Sequence, residues 1–303
     1  MNYDIIFPFY KDFKYLEKSL SLISNQTFLP TNLIFIDDGN KVNELKKMVL
    51  KNLNKKINLI YIKNLTNIGS NKSINKGLKK IVSPFFYINA TDDIIYKNFA
   101  EECIAILKNN PNYPFVFSNI IINNEKIKKK YILNYSFLKK IKYSSEEVKK
   151  IFNKHQFKIY HNTVFFKSDI FLNYNIYKPE YGVRCDMLNL YYISFKYGFL
   201  YLNKNISEFT VRHGQQGIQQ NDKYLLKELI FLKKNKNTFY KDYLKCNLHY
   251  DFSPKALIYF IENNFNEALS LKWFTRSLKF RLWKKFRFLF PNYLINLFFK
   301  IFN

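Results

Sequence analysis

The chain has little of what marks several common protein classes. Of its 303 residues, three are cysteine: Cys103, Cys185 and Cys246. They are far apart, odd in number and without a CxxC pair. Neither a disulfide framework nor a redox motif is therefore expected. The four histidines (His155, His161, His213, His249) lack the spacing of a zinc site. Seven glycines and eight prolines argue against long flexible linkers. No uncharged apolar stretch of about 18 residues occurs, so no transmembrane helix is expected. The opening MNYDIIFPFYKDF has an acid at position 4 and only a short apolar run. That is not the pattern of a secretory leader, and a cytoplasmic site of action is expected. Arginine is scarce too: five among 49 basic residues. Arginine is the commonest reader of base edges, and no zinc-finger or RRM signature is present, so no nucleic-acid partner is expected.

What the chain has in plenty is positive charge and aromatic surface. The net charge is +26, and 19% of residues are aromatic. At 48% hydrophobic, the chain can bury a sizeable core in one domain or two. A charge of that size attracts polyanions, whether nucleic acid, an anionic membrane or phosphorylated substrates. Lysines are spread along the chain except at its end. Segment 271–303, LKWFTRSLKFRLWKKFRFLFPNYLINLFFKIFN, holds eight basic residues and no acid. Drawn as a helix, it places Lys272, Arg276, Lys279 and Arg287 on one side, but Arg281, Lys284, Lys285 and the aromatics spread around the wheel. The mixture of Trp, Phe and snorkelling basic side chains still suits a headgroup layer. Each basic residue near an anionic leaflet contributes about 1 kcal/mol. Segment 271–303 is therefore expected to dock on a membrane surface. The alternative is packing on its own domain or on a second copy of the chain, as in an oligomer.

Hydrophobic periodicity organises the first 120 residues. Asp4–Pro8 reads as a buried strand. Asp12 is placed to cap a helix whose apolar residues Phe13, Leu16, Leu20 and Ile23 keep helical spacing. Strands are expected at Asn32–Ile36, Ile57–Ile62, Pro84–Ile88 and Phe115–Ser118. Helices are expected over Lys41–Asn54, Ser70–Ile81 and Tyr96–Lys108. Such alternation predicts an α/β layer structure with a largely parallel sheet. Right-handed crossovers then gather the strand C-terminal ends on one edge, where ligands of such sheets bind. Residues 120–155 read as an insertion or lid near the site. Strand character resumes over Phe157–Phe166, Arg184–Tyr197 is helical in pattern, and Phe199–Val211 holds one or two strands. From about Asn221 the pattern is mostly helical.

The strand ends carry the chemistry. Pro8-Phe9-Tyr10 follows the first strand and Asp37-Asp38 the second. Asn67-Ile68-Gly69, with Asn71 and Lys76 beyond, follows the third, and Asp92-Asp93 the fourth. Paired carboxylates at one sheet edge suggest a hard divalent cation, Mn²⁺ or Mg²⁺, with oxygen ligands. Such a cation neutralises a diphosphate.

At these residues the sequence resembles family 2 glycosyltransferases of the GT-A fold. The stretches that carry the resemblance are DIIFPFYKDFKYLEKSLSLISNQTFLP, LIFIDDGN, NLTNIGSNKSINKGL and FYINATDDIIYKNF. It covers residues 2–120 strongly and 160–217 more loosely. It implies a Rossmann-like sheet flanked by helices, with a GT-A domain over 1–217. That domain would divide into a nucleotide-binding half, 1–120, and an acceptor-binding half, 121–217. A helical, basic C-terminal extension would follow over 218–303. It further implies metal-dependent, inverting transfer of a sugar from a UDP-sugar donor to a hydroxyl. Pro8 and Tyr10 would line the base pocket, and Asp38 would accept a hydrogen bond from the base. Asn67, Gly69, Asn71 and Lys76 would contact the nucleotide. Asp93 would hold the metal, with Asp92 beside it toward ribose or diphosphate, and His213 in Arg212-His213-Gly214 would complete the metal shell or bind phosphate. Similar enzymes often carry D-x-D-D where this chain has Ala90-Thr91-Asp92-Asp93, which leaves open which Asp binds metal directly. The resemblance also calls for a carboxylate base to take the acceptor's proton. In GVRCDMLNLYYISFKYGFLYLNKNISEFTVRHGQQG that residue would be Asp186, with Glu180 as the alternate. The basic C-terminus suggests a glycan or lipid-linked acceptor, as in bacterial lipopolysaccharide, lipooligosaccharide, capsule or glycoprotein-glycan synthesis. The enzyme would then be peripheral on the inner face of the cytoplasmic membrane.

Two rival readings remain. A sugar nucleotidyltransferase would want a Gly-rich basic loop after the first strand, where this chain has Pro8-Phe9-Tyr10-Lys11-Asp12. An inactive membrane- or nucleic-acid-binding adaptor would not need Asp38, Asp92, Asp93 and Asp186 together.

Overall fold

The computed structural model describes residues 2–155, 157–174, 177–212 and 222–246, with isolated positions beyond. The chain divides into two compact units. One comprises Met1–Ser144, Ile159–Pro179 and Cys185–His213, and the other Ser145–Lys158, Glu180–Arg184 and Gly214–Asn303.

The first unit opens with the expected alternation: β1 (Tyr3–Phe9), α1 (Phe13–Ser24), β2 (Asn32–Asp37), α2 (Leu45–Asn52), β3 (Asn58–Lys63), α3 (Ser70–Leu78) and β4 (Phe85–Ile88). There follow β5 (Ile94–Ile95), α4 (Phe99–Lys108), β6 (Phe115–Asn124), β7 (Lys129–Leu133) and β8 (Lys142–Tyr143). After α5 (Ser145–Lys154), which belongs to the second unit, come β9 (Val164–Lys167), α6 (Ser168–Tyr174), α7 (Cys185–Tyr197) and β10 (Phe199–Val211). Among the described residues the strands form one ten-stranded sheet, ordered β3-β2-β1-β4-β9-β6-β10-β5, with β7 on β6 and β8 on β10.

The half that begins the chain is parallel throughout, from β3 through β2 and β1 to β4. Crossover helices cover both faces there, so β1 and β2 are buried along nearly their whole length. Helix α1 turns Leu16, Leu20 and Ile23 into the core, as its spacing predicts. A fully buried side chain of this kind contributes about 1.5–3 kcal/mol. Helix α3 approaches the sheet closely because Gly77 lacks a side chain; a Cβ there would lie 2.6 Å from Ile6 Cγ2. The buried carboxylate of Asp4 ties the lower edge together. It accepts from Asn32 Nδ2, the Val82 and Ser83 N–H groups and Ser83 Oγ, at 2.7–3.0 Å.

Antiparallel pairs enter beyond β4. Strand β9 lies between β4 and β6 and opposes both. It is shorter than the alternation over Phe157–Phe166 predicts. Ladder pairing starts only at Val164, which faces Phe117 of β6, while β4 pairs with Phe165, Phe166 and Lys167. Residues 120–133, expected as part of an insertion, instead extend β6 and fold back as β7. Strand β10 runs parallel to β6, with register shifts between Leu202 and Asn205 and between Asn205 and Glu208. Its far end pairs antiparallel with β5, Ser207 opposite Ile95 and Glu208 opposite Ile94.

The second unit contains α5, α8 (Asp222–Asn235) and α9 (Asn237–Lys245). Its buried polar centre is Arg184, whose Nε meets Glu228 Oε2 at 2.7 Å and whose Nη2 donates to Tyr243 Oη at 2.8 Å. The Tyr243 hydroxyl in turn donates to Glu228 Oε1 at 2.7 Å. Apart from Thr275 and Leu278, the basic segment 271–303 lies outside the described residues.

Candidate active site

In the order β3-β2-β1-β4 the chain runs outward from β1 through β2 to β3, then crosses back to place β4 on the other side of β1. Such a reversal leaves a crevice at the strand C-terminal ends. Sequence-predicted residues from the ends of β1, β2, β3 and β4 lie there. Pro8 lies near the end of β1 and Tyr10 just beyond it, both partly buried. The Lys11 backbone beside them is left-handed, with φ 59°, and its N–H donates to Asn40 Oδ1.

After β2 the two aspartates divide. Asp37 is buried and structural, accepting from the Asn40 N–H and amide and from the Tyr61 hydroxyl. Asp38, only 3% exposed, faces the loop after β3. Its Oδ1 accepts from the Ile68 N–H and from Asn64 Nδ2, both at 2.9 Å, and its Oδ2 from the Gly69 N–H at 3.0 Å. The carboxylate thus holds the backbone of the loop after β3 in shape. Lys76 reaches the same network, its Nζ 2.6 Å from Asn64 Oδ1. Asn67 is exposed and accepts from the Gly69 N–H, while Asn71 is partly exposed on the first turn of α3. Gly69 caps that helix with φ 89°. Gly39 is also left-handed, and a Cβ on it would overlap the Thr66 and Asn67 backbone.

After β4 come Asp92 and Asp93, both largely buried. They line a pocket with Tyr15, Ser19, Asn123 and Thr210. Burial, and then the neighbouring Asp92 charge, push the Asp93 carboxyl well above the usual carboxylate range. Asp93 Oδ1 is buried without a hydrogen-bond partner. A buried carboxylate oxygen with nothing to accept from is a natural ligand for a hard cation, so the pair suits the implied Mn²⁺ or Mg²⁺. Among the described residues no three His, Cys, Asp or Glu side chains converge as a metal group. His213, the third expected member, lies outside the described residues.

The feature that sequence reading missed is the partner of Asp92. Arg212 Nε lies 2.6 Å from Asp92 Oδ2, and Arg212 Nη2 lies 2.7 Å from Asp12 Oδ2. The guanidinium carbon stands 5.2 Å from the centre of the Tyr15 ring. Asp12, expected as a helix cap, makes no side-chain cap bond. A charge-assisted bond to a guanidinium is stronger than one to a neutral N–H, and it takes the carboxylate. The available signal was its place in Arg212-His213-Gly214, directly after the last strand, but no local pattern names a carboxylate partner 120 positions away.

Asp186, the expected base, lies in the first turn of α7, partly exposed, with Oδ1 accepting from the Met187 N–H at 2.7 Å. Its charge is felt at His161 and Tyr177, whose hydroxyl stands 3.1 Å from His161 Nε2. Burial pushes the His161 imidazole below its ordinary range, against an upward pull from Asp186. His161 had no nameable partner in the sequence; Tyr177 supplies one. The side chain of Glu180, the alternate base, is not among those described.

Comparison with known proteins agrees with this arrangement. Residues 4–171 match the model of glycosyl transferase family 2. An uncharacterized glycosyltransferase of Methanocaldococcus jannaschii is 28% identical over 160 residues, 52% of each chain. Another, of Rickettsia conorii, is 29% identical over 108 residues, 36% of this chain and 17% of its own. The chain therefore spans about half the length of the first of these relatives and a smaller part of the second. Among solved structures, S. aureus TarS 1–349 in complex with UDP-GlcNAc superposes with a TM-score of 0.62 at 17% identity, over 91% of this chain and 78% of that one. The same TarS fragment with UDP gives 0.60 at 18% identity, over 90% and 76%. These likenesses establish the fold, and the family match spans more than half of the sequence: the chain belongs to glycosyl transferase family 2.

Proposed function

We propose that this protein is an inverting glycosyltransferase that moves a sugar from a UDP-sugar to an acceptor hydroxyl, with Mn²⁺ or Mg²⁺ at Asp93 and Asp92. The observation that carries the reading is the convergence at one sheet edge of Asp38 with its loop, Lys76, Asp92 and the unpartnered Asp93 oxygen. A uridine donor is supported by TarS, which shares the fold and was solved with UDP-GlcNAc and with UDP.

The roles follow from chemistry. Pro8 and Tyr10 flank the base, and Asp38 keeps the 67–69 backbone ready to approach the nucleotide. Lys76 and Arg212 bring positive charge toward the diphosphate. A metal held by Asp93 and Asp92 would supply charge neutralisation on the leaving group. Asp186 accepts the proton of the acceptor hydroxyl as that oxygen bonds to the anomeric carbon and the bond to UDP breaks. Charge developing at the anomeric carbon gives the transition state oxocarbenium character. The acceptor is a glycan or lipid-linked molecule, with 271–303 holding the enzyme at an anionic membrane surface on its cytoplasmic side.

Calorimetric titration of UDP with Mn²⁺, then with EDTA, tests this. Metal-dependent binding, with GDP and dTDP clearly weaker, is expected. Absence of binding to every nucleoside diphosphate would overturn it. Asp93→Ala is expected to abolish metal-dependent UDP release from a UDP-sugar while leaving the fold intact by circular dichroism. Removing 271–303 is expected to release the protein from anionic vesicles, and equal retention would remove that segment from the membrane role.

A further inference from the structure

The Asp92 carboxylate already holds a cation, and it is one of the protein's own. Arg212 sits between Asp92 Oδ2 at 2.6 Å and Asp12 Oδ2 at 2.7 Å, against the face of Tyr15. Tyr15 is itself placed by its hydroxyl bond to Glu125 Oε2, 3.2 Å long. Beside this bridge lies Asp93 Oδ1, buried and without a hydrogen-bond partner. One carboxylate of the pair is thus occupied by a guanidinium, while its neighbour keeps an oxygen open. Arg212 stands one residue beyond the end of β10, and its side chain is 21% exposed. It can leave without dismantling the sheet.

We propose that Arg212 is a built-in counter-cation that competes with a divalent metal for Asp92, with Asp12 as its second anchor. The proposal rests on the reading of the site given above. Two cations cannot both contact one carboxylate oxygen at ligand distance without strong repulsion. In the donor-free protein Arg212 neutralises Asp92 and holds the crevice in a closed charge arrangement. Metal entry frees the guanidinium, whose planar fork matches a phosphate, so it transfers from carboxylate to diphosphate. Metal and nucleotide then bind with positive coupling, because each supplies what the other's arrival displaces. Free metal alone binds weakly, and the site assembles fully only when a nucleoside diphosphate is present.

The test is Mn²⁺ binding by the full chain without nucleotide, read from the electron paramagnetic resonance signal of free Mn²⁺. Arg212→Gln removes both the contact and the charge. It is expected to bind Mn²⁺ about tenfold more tightly than wild type, which corresponds to about 1.4 kcal/mol. Arg212→Lys keeps the charge but cannot fork between two carboxylates. It is expected to bind Mn²⁺ about threefold more tightly, separating contact competition from long-range charge. In the same preparations, UDP in EDTA is expected to bind Arg212→Gln several-fold more weakly than wild type. Unaltered or weaker Mn²⁺ binding in both variants, each shown folded by thermal denaturation, would overturn the proposal, as would absence of Mn²⁺ binding in every form with and without UDP. The donor reading fails separately: if wild type binds no UDP while the Mn²⁺ order holds, Arg212 remains a counter-cation and the uridine assignment is lost.

Discussion

Replacing Asp38 by alanine separates two roles that this carboxylate can have. If it served only to contact a nucleotide base, its loss would leave the free protein as stable as before. The structure gives it three donors: the Ile68 N–H, the Gly69 N–H and Asn64 Nδ2. Two of them keep other partners, since the Gly69 N–H also reaches Asn67 Oδ1 and Asn64 Nδ2 also reaches Ser73 Oγ. The Ile68 N–H is the donor most affected. A donor left unsatisfied costs about 1–3 kcal/mol, and each of the two weakened shared bonds costs about 0.5 kcal/mol more. The total is about 2–4 kcal/mol. For a unit of this size it lowers Tm by about 5–15 °C. Differential scanning calorimetry of Asp38→Ala without ligand reads this directly. UDP binding is expected to weaken in parallel, because the 67–69 backbone loses its shape. An unchanged Tm with UDP binding abolished would refute the reasoning and make Asp38 a direct base contact with no part in the loop.

Further predictions concern the supports of the site and of the second unit. Gly39→Ala is expected to destabilise the protein by more than the about 1–2 kcal/mol of left-handed strain alone, since its Cβ overlaps the Thr66 and Asn67 backbone; urea denaturation measures this. Arg184→Met leaves the fully buried Glu228 without its guanidinium partner, at a cost of about 3–5 kcal/mol, whereas Arg184→Met with Glu228→Met recovers most of it. Equal losses in the single and double variants would show that Arg184 acts through packing and not through its charge. His161 is held neutral by burial, so the unfolded chain takes up its proton first as pH falls below about 6.5. Its contribution to stability is present above that pH and lost below it. The fall in Tm between pH 7.5 and 5.5 is accordingly expected to be smaller in His161→Phe than in wild type.

The positions of Asp38, Gly69, Asp92 and Asp93 at strand C-terminal ends were legible because they follow from local pattern. Buried runs such as Ile5–Phe7 and Leu33–Ile36 mark strands, and helical spacing at Leu16, Leu20 and Ile23 marks the connecting layer. The rest of the site depends on chain segments that no local pattern relates. Thr210 and Arg212 stand beside Asp92 and Asp93 because β10 pairs with β5 in one register, after two bulge-like shifts along β6. A change of one residue there would turn the side chains to the opposite face. The Arg212 bridge joins residues 120 and 200 positions apart, and Tyr177 meets His161 across a helix. Sequence by itself determined which groups lie at the sheet edge. Tertiary structure alone decided which cation answers which carboxylate, because charges pair by distance in space and strand register sets that distance.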